Sequence, residues 1–185
     1  MPNDCISYQD SGYFTPLMND YLDQKNHLKS LYNRFPSIEN FAAQIIEKQA
    51  NYADENRDVL VSVLKKQYKN VAVSELTSEN IEALAMSNTF TVTTGHQLNL
   101  FTGPLYFLYK IISTINLTKE LKETYPDKNF VPIYWMATED HDFDEINYFN
   151  FKGKKFRWNR ESSGPVGRFS TDGLVDVFGV FSSEL

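Results

Sequence analysis

The chain has 185 residues, of which 42% are hydrophobic and 15% aromatic, so it can bury one sizeable core or one core with a helical appendage. Its 18 basic residues against 24 acidic ones give a net charge of −6, which disfavours bulk attraction to nucleic acid or to anionic membranes. No apolar run approaches the roughly 20 residues that span a bilayer. The N-terminus lacks the pattern of a secretory signal, and the single cysteine excludes an internal disulfide. We therefore expect a cytoplasmic protein with no membrane partner.

Residues 1–88 predict a helical region that packs on the part of the chain that follows. Apolar residues at helical spacing predict helices over residues 16–30, 38–49 and 56–69, and a short fourth helix that begins near residue 77. Ser37 is a candidate N-cap for the second helix. We interpret the apolar stripes of this region as core.

The pattern changes to α/β over residues 89–147. β-Branched residues predict a strand over 89–94, helical spacing predicts a helix over 104–124, and a continuous apolar run predicts a buried strand over 130–137. If the two strands are parallel, their carboxyl ends lie at the same edge of the sheet. The segments that follow the two strands should then form one site.

Residues 148–185 begin with a predicted β-hairpin, whose aromatic residues alternate with polar ones around a turn at Lys152-Gly153-Lys154. Basic residues gather on and after this hairpin, namely Lys152, Lys154, Lys155, Arg157, Arg160 and Arg168. We interpret them first as a charged edge that prevents pairing with other chains, then as an anion site, and last as a platform for single-stranded nucleic acid. The apolar pattern continues to Leu185, which indicates a fragment of a longer protein.

The loop after the first strand carries the first candidate site. Gly95 allows close approach to the main chain, and the polar side chains around it offer hydrogen-bond donors. The loop has neither the Gly-Lys-Ser/Thr of a Walker loop nor the three-glycine dinucleotide fingerprint. Spacing alone does not separate a ligand site from an ordinary turn capped by Thr102. The candidate binding residues are Thr94, Gly95, His96, Gln97, Asn99, Thr102 and Gly103.

The second candidate site follows the second strand, where residues 139–145 hold five acidic residues and a histidine. Such a cluster can bind a divalent metal, act as an acid or base, or hold a substrate ammonium group. Acids that complement a helix dipole, or an exposed acidic face, are the structural alternatives. If a helical turn begins at Asp142, His141 and Glu145 share a face. We favour a polar substrate or nucleotide over a metal, because only two other histidines exist in the chain.

Two stretches of sequence, TGHQLNLFTGPLYFLYKI and then VPIYWMATEDHDFDEIN, resemble the cysteine ligases of bacillithiol biosynthesis, the BshC family. Members typically show G-Q-Q-x-x-L-x-T-G-P-L-Y and then P-V-F-W-x-x-x-E-D-H-D-x-x-E-I. The likeness covers essentially the whole chain, as the N-terminal portion of a longer protein. His96 stands where the family more often has glutamine. The matching residues are Gly95, Gln97, Leu100, Thr102, Gly103, Pro104, Leu105 and Tyr106, then Pro132, Trp135, Glu139, Asp140, His141, Asp142, Glu145 and Ile146.

The resemblance implies the last step of bacillithiol synthesis, in which cysteine is joined through an amide to the amine of glucosaminyl-malate. It also implies a Rossmann-like core and ATP as the co-substrate that activates the cysteine carboxylate, with no firm metal. Donors near Gly95–Gln97 would stabilise developing negative charge, and Asp140 and Glu145 would take part in binding. His141, Asp142 or Glu139 would accept the proton of the amine.

The patterns above divide the chain into three predicted parts: helices over 1–88, a core over 89–147 that the resemblance identifies as Rossmann-like, and a hairpin with the start of a further core or inserted segment over 148–185. A coiled coil beyond this fragment would form a homodimer, and the isolated fragment could be inactive. Two other functions stay open from the residues alone. One is a metal-dependent hydrolase that uses residues 139–145, and the other is a non-catalytic nucleotide- or nucleic-acid-binding module.

Overall fold

A computed structural model describes residues 4–101 and 103–185. The chain divides into two compact units, with the boundary between Tyr52 and Ala53. The first unit contains helices, and the second contains both strand pairs together with the remaining helices.

The first unit is built from short helices. Helix α1 covers Tyr8–Ser11, α2 covers Pro16–Leu22, a 3₁₀ helix covers Asn26–Leu31, and α3 covers Asn40–Asn51. The prediction of one helix over residues 16–30 is wrong, because Gln24 has a φ of 53°, in the left-handed region that an α-helix cannot contain. Ser37 does not cap α3; its carbonyl oxygen accepts the N–H of Asn40, in the turn before the helix.

The interior of the first unit is partly apolar and partly ionic. Leu28 and Ile45 are its buried apolar residues within the described part of the chain. The Arg34 guanidinium pairs with the Glu47 carboxylate and donates to the Gln44 side-chain oxygen at 2.8 Å. These contacts connect the segment before α3 to partly buried side chains of that helix.

The second unit contains a parallel pair of strands between helices. Helix α4 covers Asp54–Gln67, α5 covers Glu75–Ala83, strand β1 covers Thr89–His96, α6 covers Leu105–Thr124 and β2 covers Asn129–Met136. The register runs from Thr89 opposite Asn129 to His96 opposite Met136. Helix α5 begins two residues before the predicted position, because the Ser74 hydroxyl accepts the N–H of Thr77 and caps it.

The two faces of this strand pair are covered by different helices. Val131 packs with Val61, Ile81 and Leu84 from α4 and α5 and the turn that follows. Tyr134 points to the other face, because side chains alternate along a strand, and there it meets Phe107 of α6 with ring centroids 5.5 Å apart. The parallel strand–helix–strand prediction is therefore confirmed.

A buried arginine ties α4 to the start of β1. The Arg57 guanidinium donates to the carbonyl oxygens of Leu84, Thr89 and Ser87 at 3.1, 3.0 and 3.4 Å. The guanidinium N–H groups therefore satisfy three main-chain carbonyl oxygens that lie between the end of α5 and the first residue of β1.

The rest of the unit forms a second cluster. Helix α7 covers Phe143–Ile146, β3 covers Tyr148–Phe151, β4 covers Lys154–Arg157, a 3₁₀ turn covers Val166–Arg168 and α8 covers Leu174–Ser182. Strands β3 and β4 are antiparallel, and both loop residues, Lys152 and Gly153, have positive φ, as in a type I′ hairpin. Trp158 packs with Leu100, Phe143 and Ile146. The predicted hairpin is confirmed.

The fold class is mixed α/β, with a partial parallel sheet, N-terminal helices and a C-terminal hairpin, as predicted. Pro132 lies at the fourth position of β2 rather than at its beginning, which a strand tolerates where the missing N–H faces an unpaired edge. None of the helices formed by the described residues could span a membrane, and this includes the 20-residue α6.

Candidate functional site

The loops after β1 and β2 are in direct contact. The side-chain nitrogen of Gln97 donates to Asp140 Oδ2 at 3.0 Å and to Glu145 Oε2 at 3.1 Å. This contact follows from the register, because the two parallel strands end side by side at His96 and Met136. One amide therefore binds two carboxylates of the acidic segment.

Main-chain contacts fix the same two segments. The N–H of Leu100 donates to the carbonyl oxygen of Ile146 at 3.0 Å, and both side chains are buried in one cluster. A narrow gap lies between the loops, lined on one side by Gln97 and on the other by Asp140 and Asp142, and it is too small to admit a water molecule. The two loops are therefore in close contact on anchored backbone.

Asp140 is held in its charged form by donors from both loops. The main-chain N–H of Asp142 donates to Asp140 Oδ1 at 3.0 Å, and Gln97 donates to the other oxygen. These hydrogen bonds, that of Asp142 first, lower the pKa of Asp140 below its ordinary value of 3.8 and outweigh its desolvation. Asp140 is thus a carboxylate at neutral pH and an acceptor for cationic or N–H groups.

His96 and Asn99 form a second polar group beside the first. Asn99 Nδ2 lies 2.9 Å from His96 Nδ1, and Tyr106 Oη lies 2.8 Å from His96 Nε2. The main-chain carbonyl of His96 accepts the Tyr134 hydroxyl at 3.1 Å. The imidazole therefore contacts protein groups at both nitrogens.

Two glycines of this loop are required by packing. A Cβ on Gly95 would lie 3.0 Å from both Cβ and the carbonyl oxygen of Trp135, and the Gly95 carbonyl accepts from Lys110 Nζ. Gly103 has a φ of 58°, and a Cβ there would lie 2.7 Å from Asn99 Cβ. The close neighbours of these glycines within the chain are Trp135 and Asn99, and the binding role of Gly95 stays a prediction.

His141 lies on the surface of the acidic segment, with 78% of its side chain exposed. Its Nε2 lies 3.7 Å from Asp142 Oδ1 and its Nδ1 lies 4.0 Å from Asp140 Oδ1. His141 precedes α7 and does not lie on it, so the condition for a face shared with Glu145, a helical turn from Asp142, is not met. The backbone turns at Asp142 before the helix begins.

The remaining predicted residues are placed as follows. Glu139 is exposed on the loop after β2, and Thr94 is half-buried two residues before the end of β1. Thr102 lies outside the described residues. Most predicted site residues therefore lie on two touching loops, while their chemical roles stay predictions.

Sequence reasoning missed a third segment, the turn Val166–Arg168. The N–H of Val166 donates to the Asp140 carbonyl oxygen at 2.7 Å, and the N–H of Gly167 donates to the Thr138 carbonyl oxygen at 2.9 Å. A Cβ on Gly167 would lie 2.5 Å from Thr138 Cβ. The only local signal was Gly167 itself, because the contact spans about 28 residues of sequence.

The acidic loop could also hold a cation. Asp140, His141 and Asp142 can each place one ligand atom so that the three atoms lie within 4.8 Å of one another. Carboxylate and imidazole ligands suit several divalent metals. Exposed acidic groups often gather without an ion, so this geometry permits a metal without requiring one.

Much of the basic hairpin surface is engaged locally. Lys154 Nζ lies 2.6 Å from Glu184 Oε1, Lys155 Nζ lies 3.6 Å from the Tyr148 ring centroid, and Arg160 contacts the rings of Trp158 and Phe169. These contacts engage several of the charges within the chain, and the interpretations of the basic surface stay predictions.

The whole chain, residues 1–185, matches the sequence model of the family described as "Bacillithiol biosynthesis BshC, N-terminal Rossmann-like domain". A Flavobacterium johnsoniae protein named "Putative cysteine ligase BshC" is 70% identical over 185 residues, and a Flavobacterium psychrophilum protein of the same name is 67% identical over 186. Each match covers 100% of this chain and 35% of the relative. A Bacillus thuringiensis protein of that name is 36% identical over 139 residues, which is 75% of this chain and 25% of the relative. The chain thus spans about 35% of the length of the first two relatives, and it belongs to the BshC family, as that family's N-terminal Rossmann-like domain.

Proposed function

We propose that the protein that contains this chain joins L-cysteine to the amine of glucosaminyl-malate, which completes bacillithiol. The observation that carries this proposal is the match of all 185 residues to the BshC family, together with 70% identity to a relative named "Putative cysteine ligase BshC". The Gln97 contact with Asp140 and Glu145 supports it, because it gathers both sequence motifs into one site.

The acidic loop suits the amine substrate. In the proposed reaction the amine nitrogen forms a bond to the activated carbonyl carbon of cysteine, the activating group leaves that carbon, and one N–H proton leaves the nitrogen. The exposed His141 imidazole accepts that proton, and the adjacent carboxylates of Asp140 and Asp142 stabilise the resulting cation. Glu145 and Asp140 also attract the ammonium form of the substrate, which releases one proton to solvent before the free amine attacks.

ATP is the proposed co-substrate, and it supplies the free energy that activates the cysteine carboxylate. The donor chemistry on the α6 side of the site fits phosphate, because this side carries the Lys110 ammonium and the first turn of a 20-residue helix. The carboxylates on the opposite loop would repel phosphate oxygens. We therefore place the phosphates toward α6 and the amine toward the acidic loop.

Assembly as a homodimer is also part of the proposal, through a region outside this chain. Formation of this homodimer does not require the residues of the site described above. A measurement of the molecular mass of the longer protein in solution tests it.

The ligase proposal is tested in the full-length protein, by mass spectrometry of the thiols formed from cysteine, glucosaminyl-malate and ATP. We expect wild-type protein to form bacillithiol, and Gln97→Leu and His141→Ala each to lower kcat/KM at least about tenfold. His27→Ala is the matched control, because His27 is also an exposed histidine beside a carboxylate, that of Asp20. It should stay within about twofold of wild type.

Two results would contradict the proposal. One is a folded wild-type protein that forms no amide product under any nucleotide, and the other is full activity in both site variants. Circular dichroism of each variant confirms that a loss of activity is not a loss of fold.

A metal-dependent hydrolase is the second candidate, and the arrangement of Asp140, His141 and Asp142 favours it. It predicts stoichiometric divalent metal in the purified protein and hydrolytic activity that a chelator removes. Elemental analysis of wild-type protein and of Asp142→Asn decides this, since metal-free protein with unchanged activity excludes the hydrolase.

A further inference from the structure

The hydrogen-bond partners of His96 favour one tautomer of its ring. Asn99 Nδ2 lies 2.9 Å from Nδ1 of the ring, and the same nitrogen donates to the Gln97 carbonyl oxygen at 2.9 Å, which identifies it as the amide donor. Nδ1 also lies 3.1 Å from that carbonyl oxygen, but a proton on Nδ1 would face the Asn99 N–H. A neutral ring therefore accepts at Nδ1 and carries its proton on Nε2.

Asn99 and the His96 ring are both held in place. The left-handed backbone of Gly103 lies so close to Asn99 that a Cβ would approach Asn99 Cγ within 2.7 Å. The ring of Phe107 packs edge-on against the imidazole with a centroid distance of 6.0 Å. The tautomer thus results from packing as well as from one hydrogen bond.

The Nε2 proton points at the Tyr106 hydroxyl, 2.8 Å away. Tyr106 Oη therefore accepts from His96, and the hydroxyl's own proton must point in another direction. Tyr106 lies in the first turn of α6 and is 53% exposed, so that proton is within reach of a bound molecule. His96 itself has no remaining N–H to offer.

We propose that Tyr106 is a further substrate-binding residue of this site, whose hydroxyl donates to an oxyanion of the substrate. Asn99 and His96 act as positioning residues, because they orient that hydroxyl. The acceptor is a carboxylate or phosphate oxygen, from cysteine or from ATP, and this assignment rests on the proposed ligase function.

The role of His96 is then to donate a hydrogen bond, and it does not require a ring that changes its charge. Glutamine also carries an N–H that can reach a tyrosine hydroxyl, whereas leucine carries none. The arrangement therefore predicts rescue by His96→Gln and loss with His96→Leu.

The test is calorimetric titration of the full-length protein with L-cysteine and with ATP, separately. Tyr106→Phe and His96→Leu should each weaken one of the two ligands at least about tenfold, while His96→Gln stays within about threefold. The double variant Tyr106→Phe with His96→Leu should bind no more weakly than Tyr106→Phe alone, since both act through one hydroxyl. Tyr109→Phe, on an exposed tyrosine one turn further along α6, is the control and should match wild type.

Nitrogen-15 NMR of histidine-labelled protein checks the tautomer independently of any activity, with the His96 signals assigned by their loss in His96→Gln. We expect a non-protonated Nδ1 and a protonated Nε2. A protonated Nδ1 overturns the proposal, as do unchanged affinities of Tyr106→Phe for both ligands, additive losses in the double variant, or absence of binding of either ligand by wild type.

Different results would contradict the ligase proposal and the binding role of Tyr106. If wild-type protein binds cysteine or ATP in a manner that depends on Tyr106 but forms no amide, the ligase is wrong and the binding role of Tyr106 stands. If the protein forms bacillithiol and Tyr106→Phe has wild-type affinities and kcat/KM, the ligase stands and this inference is wrong.

Discussion

Two donors of different origin meet at the Asp140 carboxylate, the main-chain N–H of Asp142 and the side-chain amide of Gln97. The hydrogen bond from the Asp142 N–H lies within one loop and forms whenever that loop folds. The hydrogen bond from Gln97 comes from the loop after β1 and forms only when the two strands are paired. The charge of Asp140 is therefore linked to the assembly of the site.

This linkage predicts a dependence of stability on pH. The pKa of Asp140 in the folded protein lies below its ordinary value, so its stabilising contribution is complete above the unfolded pKa and is lost as pH falls through the folded pKa. In urea unfolding between about pH 5 and pH 2, Asp140→Asn should lose less stability than wild type. Gln97→Leu should give an intermediate result, because it leaves the larger contribution of the Asp142 N–H. Identical pH profiles for wild type and Asp140→Asn would contradict this.

Part of the contacts between individual residues of the site could be predicted from the sequence. The contact of Gln97 with Asp140 follows from parallel strands, whose ends meet at one edge. The contact of His96 with Tyr106 could not be predicted, because it depends on side-chain rotamers across the loop between them. The face that His141 would share with Glu145 depended on a helical turn from Asp142, and α7 begins one residue later, at Phe143.

Among the elements, α4 depends on Arg57 for its attachment to the segment before β1. Arg57→Met should lower the free energy of unfolding by about 2–4 kcal/mol, because three main-chain carbonyls lose their buried donor. Chemical denaturation measures this change. The control is Lys66→Met on the exposed part of the same helix, with an expected change within about 0.5 kcal/mol. Equal stability of the two variants would show that the carbonyls find other partners.

The turn Val166–Arg168 provides a second prediction for an element. Gly167→Ala should destabilise the chain by about 1–3 kcal/mol and weaken substrate binding, because the new methyl group would push the turn away from Thr138. Gly179→Ala is the matched control. A Cβ on Gly179 meets no atom within 4 Å, so this change within α8 should stabilise the chain by up to about 1 kcal/mol. Thermal denaturation of both variants decides the matter, and a stable Gly167→Ala protein would refute the close contact.

Most helices and strands could be predicted from hydrophobic periodicity and capping. Both parallel strands and α6 lie within two residues of their predicted bounds, because breakers such as Pro104 and Pro126 mark their limits. The break after α2 could not be predicted, since nothing in Gln24 requires a positive φ. The turn at Val166 could not be assigned either, since its partners on the acidic loop are distant in sequence.

For the molecule as a whole, helix α6 has a buried side and an exposed apolar side. Its inner side buries Thr114, Thr118 and Leu121, and Lys110 is the only charged residue from Leu105 to Thr118. Large apolar side chains are exposed along the helix, at Leu105, Leu108, Tyr109, Ile112 and Ile115. Contiguous apolar surface of this kind favours association in water.

The exposed face of α6 predicts self-association of the 185-residue chain. Ile112→Lys should reduce the apparent mass in concentrated solution and change the free energy of unfolding by no more than about 0.5 kcal/mol. Ile6→Lys replaces an exposed isoleucine near the N-terminus and should leave association unchanged. Analytical ultracentrifugation compares the three proteins. Equal association of wild type and Ile112→Lys would count against this surface.

Family membership could be predicted from two motifs, since their order and the helix between them are specific enough without coordinates. The predicted boundaries at residues 88 and 147 stay predictions, because they depend on how the rest of the longer protein packs. Compactness within this chain gives a different division, between Tyr52 and Ala53.

The two tryptophans occupy opposite environments, and this gives the chain two optical reporters. Trp135 is 60% exposed at the end of β2, beside the site, whereas Trp158 is 7% exposed and donates its indole N–H to the Asp172 carbonyl oxygen at 2.9 Å. Iodide in solution quenches an accessible indole and spares a shielded one. Fluorescence that iodide removes therefore reports on the site, and fluorescence that survives reports on the cluster beneath the hairpin, without any added label.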